Sequence, residues 1–193
     1  MRIMKVKRAI IILLMIGIMV IISGCARWPN GPNGNGGTEN YQLQITVEVK
    51  GVINTSEGIY YIVLDADGNS ATGPGYDILL WDDRFYYIKL EDGFFYFTQK
   101  EEGSSELYLS DNLISGNKIQ VTIALSDVGD PNSIDVNVLT TDSDNNTYDY
   151  LDPYFTINTD FGSSKNITDT EGDSGDGGED FDIVKVTAVI TTL

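Results

Sequence analysis

Three side chains at alternate positions, Asp65, Asp67 and Asn69, place carboxylate and amide oxygens along one short turning stretch, with Asp77 eight residues further on. Hard oxygen donors gathered in this way are what a Ca²⁺ ion takes, with backbone carbonyls and water completing its six to eight ligands. Crowded carboxylates also repel one another unless a cation neutralises them. The spacing is not that of an EF-hand: Gly68 falls at the fourth position and Tyr76 at the twelfth, where a bidentate acid belongs. The competing reading is a solvated Asp-Gly-Asn turn, because these residue types favour turns by themselves. A second run with the same alternation, Asp142, Asp144 and Asn146, reads first as a plain turn. The acids Asp169, Asp173, Asp176, Glu179, Asp180 and Asp182 read as a solvated loop.

The next candidates are aromatic. Sugar rings present C–H faces that stack on flat side chains, so glycan binding needs exposed rings with amides or acids beside them. The chain concentrates such rings between Tyr60 and Tyr108, and Trp81, Tyr87 and Tyr96 are the candidate ligand-binding residues. Adjacent residues on a strand point to opposite faces, so about half of these rings must fill a core instead.

Composition removes several classes of chemistry. There is no histidine, which excludes Ser-His-Asp and Cys-His nucleophile systems and His-ligated zinc. Carboxylates are abundant, yet no pair stands out as the acid and base of a glycosidase, so the domain reads as non-catalytic. The formal net charge is −17. Arg2, Lys5, Lys7 and Arg8 all lie in the leader, so its removal takes −17 to −21. Such a surface repels phosphate backbones and excludes nucleic acid as a partner.

The N-terminus explains the one cysteine. MRIMKVKR is a basic segment, and Ala9 to Ile22 is an apolar run of signal-peptide length, short for a membrane span. Ile22-Ser23-Gly24-Cys25 then resembles the bacterial lipobox. The resemblance implies a signal peptide over residues 1–24, cleavage before Cys25 and a diacylglyceryl group on its thiol. A lipid adds about 0.8 kcal/mol of membrane affinity per buried methylene. It would hold the chain on the extracytoplasmic face of a cell membrane or outer membrane. Residues 25–40 are rich in Gly, Pro and Asn and read as a tether, with Trp28 placed for the membrane interface.

From Tyr41 onward the pattern is that of strands. Tyr41, Leu43, Ile45, Val47 and Val49 alternate with polar residues, as do Ile119, Val121, Ile123 and Leu125. Further strands are expected at 59–64, 76–81, 85–90, 94–99, 106–110, 134–138, 155–157 and 183–190. Asp92-Gly93 signals a hairpin. The acidic stretch 160–180 reads as a long mobile loop before a closing strand, which is expected to pair beside the first. No helical apolar period of helix length follows the leader. Residues 41–193 therefore read as a single antiparallel β-sandwich, of jelly-roll or Greek-key type.

The run Tyr60-Tyr61-Ile62-Val63-Leu64-Asp65-Ala66-Asp67-Gly68-Asn69, with Thr72-Gly73 and Asp77, is similar to the opening of sandwich domains in bacterial surface lipoproteins. These are related to family 9 carbohydrate-binding modules and DOMON-like domains. Gly116–Ile123 leading into Ser126-Asp127-Val128-Gly129, and Thr141-Asp142 followed by Tyr150-Leu151-Asp152-Pro153, extend the resemblance. It implies a β-sandwich, a structural calcium near the Asp65 loop and, in some members, sugar held between two aromatic rings. Trp81 is the one tryptophan of residues 41–193, so a two-tryptophan clamp is not matched. The expected partners are a polysaccharide or another envelope ligand or, alternatively, a surface protein bound by a structural or adhesion module.

Overall fold

A computed structural model describes residues 40–110, 112–169 and 177–192. Cys25 and the stretches read as signal peptide and tether lie outside the described residues, apart from Asn40. Among the described residues twelve strands form two antiparallel sheets. The five-stranded sheet has the order β11 (Ser164–Thr168), β12 (Ile183–Thr192), β1 (Tyr41–Val49), β7 (Lys118–Ala124) and β6 (Leu113–Ser115). The seven-stranded sheet runs β10 (Phe155–Asn158), β8 (Ser133–Thr141), β2 (Ile59–Asp65), β3 (Tyr86–Glu91), β4 (Phe94–Gln99) and β5 (Leu107–Tyr108). Its seventh member, β9 (Thr147–Tyr150), pairs with β8. The fold is the all-β sandwich that the alternation predicts.

The period-two strands do what their spacing requires. Leu43, Ile45, Val47 and Val49 of β1 are fully buried against Ile119, Val121 and Ile123 of β7 and Val186, Ala188 and Ile190 of β12. Each fully buried aliphatic of this kind contributes about 1.5–3 kcal/mol relative to exposure. The closing strand pairs with the first along its length, from Tyr41 opposite Thr192 to Val49 opposite Ile183. Asp92 and Gly93, at φ 51° and 82°, form the two-residue turn joining β3 to β4. Positive φ at both centres gives the twist a tight hairpin needs.

The seven-stranded sheet is covered on both faces at β2. All seven residues of β2 are buried, which is why its sequence is a continuous apolar run rather than an alternation. Tyr60, Ile62 and Leu64 enter the main core, whereas Ile59, Tyr61 and Val63 face outward and meet Ile78, Trp81, Phe85 and Leu139. That outer cluster is roofed by the segment between β2 and β3. Residues 76–81, expected as a strand, form no strand. Ile78–Leu80 is a 3₁₀ turn, started by Asp77, whose Oδ1 accepts from the Leu79 N–H at 2.9 Å. Only Ile78 and Trp81 of this apolar run point inward, a spacing of three that suits a turn and not a strand.

The stretch 160–180 also differs from expectation. Ser164–Thr168 is β11, an edge strand paired to β12, and Phe161 stacks on Tyr41 with centroids 6.2 Å apart. Glu179 and Asp180 hold the 50–52 corner: the Gly51 N–H donates to the Glu179 carbonyl, and the Val52 N–H donates to Asp180 Oδ1. Lys50 pairs with Glu179 at 3.0 Å. Polar sequence concealed this order because an edge strand needs few apolar residues, and Ile167 alone in β11 packs on the core.

Candidate functional site

The Asp65 loop begins as a ladder of side chain to backbone bonds. Asp65 Oδ1 accepts from the Asp67 N–H at 2.9 Å, Asp67 Oδ1 from the Asn69 N–H at 2.7 Å, and Asn69 Oδ1 from the Ala71 N–H at 3.3 Å. Each acceptor turns the chain two residues on, which is the local logic of Asp and Asn in turns. The alternation seen in the sequence is therefore first of all a succession of turns. Asn69 and Asp77 each commit a side-chain oxygen to a backbone N–H. Among the described residues no three Asp, Glu, His or Cys side chains converge into a ready-made metal cage.

Asp65 itself is different. It ends β2 on the outward face, only 2% exposed, and its Oδ2 is buried without a hydrogen-bond partner. Directly across the ladder on β8 stands Asp135, 3% exposed. Asp135 Oδ1 accepts from Thr156 Oγ1 of β10 at 2.5 Å. Burial pushes the Asp65 carboxyl above the usual range, and the nearby charges of Asp67 and Asp135 add to the shift against the Asp67 N–H bond and Arg84. Burial likewise raises Asp135, with Thr156 opposing and Asp67 reinforcing. Asp67 Oδ2 lies 3.4 Å from Thr72 Oγ1 and 3.8 Å from Arg84 Nη1. The buried acidic pair is thus Asp65 and Asp135, with the charge of Asp67 near enough to raise both. Sequence reasoning missed Asp135, although a charged residue inside Ile134-Asp135-Val136-Asn137-Val138 was its signal.

The Asp142 run is a closed turn. Asp142 Oδ1 accepts from the N–H groups of Asp144 and Asn146, and its Oδ2 from Asn146 Nδ2 at 2.7 Å. The Asn146 bonds hold the Asp142 carboxyl below its ordinary range.

The three aromatic candidates have different fates. Trp81 is 5% exposed; its ring packs on Tyr61 and Tyr87, and its Nε1 donates to the Gly75 carbonyl at 2.8 Å. It is a roof beam and offers no stacking face. Tyr87 is half-buried beside it. Tyr96 lies on the outward face of β4 with Lys89 Nζ 5.3 Å from its ring centre. Its row continues through Tyr108, directly paired with it and 61% exposed, and Phe94, 50% exposed. The Phe94 and Tyr108 rings sit 6.1 Å apart and tilted by 60°. Lys89 is fixed between Glu91 at 3.1 Å and Glu106 at 2.9 Å. Burial alone would lower its pKa, but the hydrogen bonds and charge of the two glutamates raise it, so the ammonium stays charged. The result is a strip of rings bordered by one cation and two carboxylates.

Comparison with known proteins finds no matching family model, no matching curated protein and no matching solved structure.

Proposed function

We propose that the chain is a cell-surface lipoprotein, anchored through Cys25, whose sandwich domain binds carbohydrate without catalysis. The reading is supported above all by the outward row Phe94, Tyr96 and Tyr108, with Lys89, Glu91 and Glu106 beside it. Two exposed rings, Phe94 and Tyr108, and the half-buried Tyr96, next to fixed donors and acceptors, suit the C–H faces and hydroxyls of a sugar. The surplus of acid favours a neutral glycan over an anionic one. Isothermal titration with cellohexaose, xylohexaose and chitohexaose tests it. One of these should bind, and Tyr96→Ala with Tyr108→Ala should weaken that binding more than about tenfold while leaving the fold intact. Absence of binding to all three at millimolar concentration overturns the glycan reading. Mass spectrometry of the mature N-terminus tests the anchor, which fails if the chain starts at Met1 with a free thiol.

Calcium belongs to the same reading. Asp65 and Asp135, paired across the ladder, would hold it with backbone carbonyls and water, and the unpartnered Asp65 Oδ2 is the observation in its favour. The ion would neutralise two buried carboxylates that burial otherwise disfavours. It would thereby tie the end of β2 to β8 beneath the roofing segment.

A second reading, an adhesion module that binds a protein, is favoured by Leu79 and Leu80. These are the most exposed large apolar residues described, at 84% and 81%.

A further inference from the structure

The turn that carries Leu79 and Leu80 is built to hold them out. Ile78 and Trp81, the residues on either side, are buried in the outer cluster. Asp77 caps the turn, and Trp81 Nε1 ties back to Gly75. Asn137 Nδ2 of β8 donates to the Pro74 carbonyl at 2.8 Å, Thr147 Oγ1 donates to the Tyr76 carbonyl, and Tyr76 stacks on Tyr150 at 4.6 Å. Anchors on both flanks make this a fixed display and not a loose loop. Two adjacent leucines cost hydrophobic free energy when left in water, and a rigid support removes most of the entropy that a partner would otherwise have to overcome.

We propose that Leu79 and Leu80 are the docking point for a protein partner with an apolar socket rimmed by lysine and arginine. The inference rests on the adhesion reading of the domain and is independent of glycan binding. Charge decides the kind of socket. Asp77 precedes the leucines and Asp82 and Asp83 follow them on the exposed side; Arg84 pairs with Asp82, which leaves the surroundings net acidic, as is the whole chain at −17. A basic rim complements this surroundings, whereas a second copy of the chain and an anionic lipid surface are both repelled.

The test places a photoreactive phenylalanine analogue at Leu79 or Leu80 of the full chain in its native cells. Leu113 on β6 and Lys165 on β11 serve as control positions. Adducts are mapped by mass spectrometry, and the partner is then purified and titrated. The expected result is a protein adduct at 79 and 80 but not at the controls, on a partner peptide with apolar residues flanked by Lys or Arg. Affinity should fall about 100-fold for Leu79→Ser with Leu80→Ser, as for the loss of two central anchors. It should fall a few-fold for Asp83→Asn, and it should weaken as salt rises. Protein adducts at the control positions alone would sink the docking point and leave the adhesion reading standing. No protein adduct at any position would overturn both. An adduct at 79 to lipid, to a second copy, or to a socket without basic residues overturns the proposed partner.

Discussion

Asp65-Ala66-Asp67-Gly68-Asn69 and Asp142-Ser143-Asp144-Asn145-Asn146 carry the same alternation of oxygens, and the fold treats them differently. Both use the first aspartate to turn the chain two residues on. In the second run the carboxylate of Asp142 is exposed and both of its oxygens are matched, so its charge is held easily. In the first run Asp65 is buried, faces another buried carboxylate and keeps one oxygen unmatched. Spacing therefore encodes the turn, and burial of the first acid beside a partner strand makes the difference between a turn and a candidate cation centre.

The largest effect expected is that of calcium on the first run alone. An ion at 100 times its dissociation constant stabilises by about 2.7 kcal/mol, which corresponds to roughly 5–10 °C in a domain of this size. Thermal melts with millimolar calcium and with chelator should show this shift in the native chain. It should vanish in Asp65→Asn and Asp135→Asn and persist in Asp142→Asn. Equal midpoints with calcium and with chelator would erase the contrast between the two runs.

A smaller effect separates the loops by pH in chelated protein. Asp65 and Asp135 have raised carboxyls when folded, so between the unfolded and folded values the native state binds more protons. Their unfavourable contribution is absent below the unfolded value and complete above the folded one. Asp65→Asn should accordingly raise the metal-free midpoint by a few degrees at pH 7, with the gain shrinking toward about pH 4. Asp142 has the opposite sign: its lowered carboxyl supports the fold above the unfolded value, and that support is lost as pH falls through the folded one. A midpoint for Asp65→Asn that is independent of pH would remove the argument from burial.

The smallest effect is local. Asp142→Ala should lower the midpoint by about 1–2 °C, as for loss of an exposed side-chain cap, and should leave any calcium response unchanged. A large drop, or a lost response, would show that the second run is more than a turn.

Much of the fold was legible because single-faced strands write their geometry into alternation. β1, β7 and β12 could be read directly, as could the Asp92-Gly93 hairpin and the meeting of first and last strands. The 76–81 segment was misread because a short apolar run does not reveal its period, and Ile78 and Trp81 bury in a turn as readily as alternating residues do in a strand. β11 was missed for the reverse reason, since its outer position demands almost no apolar residues. Of the buried acidic pair and its charged neighbour, Asp65 and Asp67 were visible from loop spacing. Asp135 was not, because its contribution depends on the register that sets it opposite Asp65, a relation between residues seventy positions apart.

The placement of β1 also bears on how the domain comes into being. This strand is made first, yet both of its neighbours come late: β7 begins at Lys118, and β12 ends at Thr192. Its five-stranded sheet cannot be completed on a nascent chain until β12 has emerged. Long-range pairing of this kind slows folding. The same order of strands makes β12 the clasp of its sheet, the strand whose arrival lets β1 fill both of its edges.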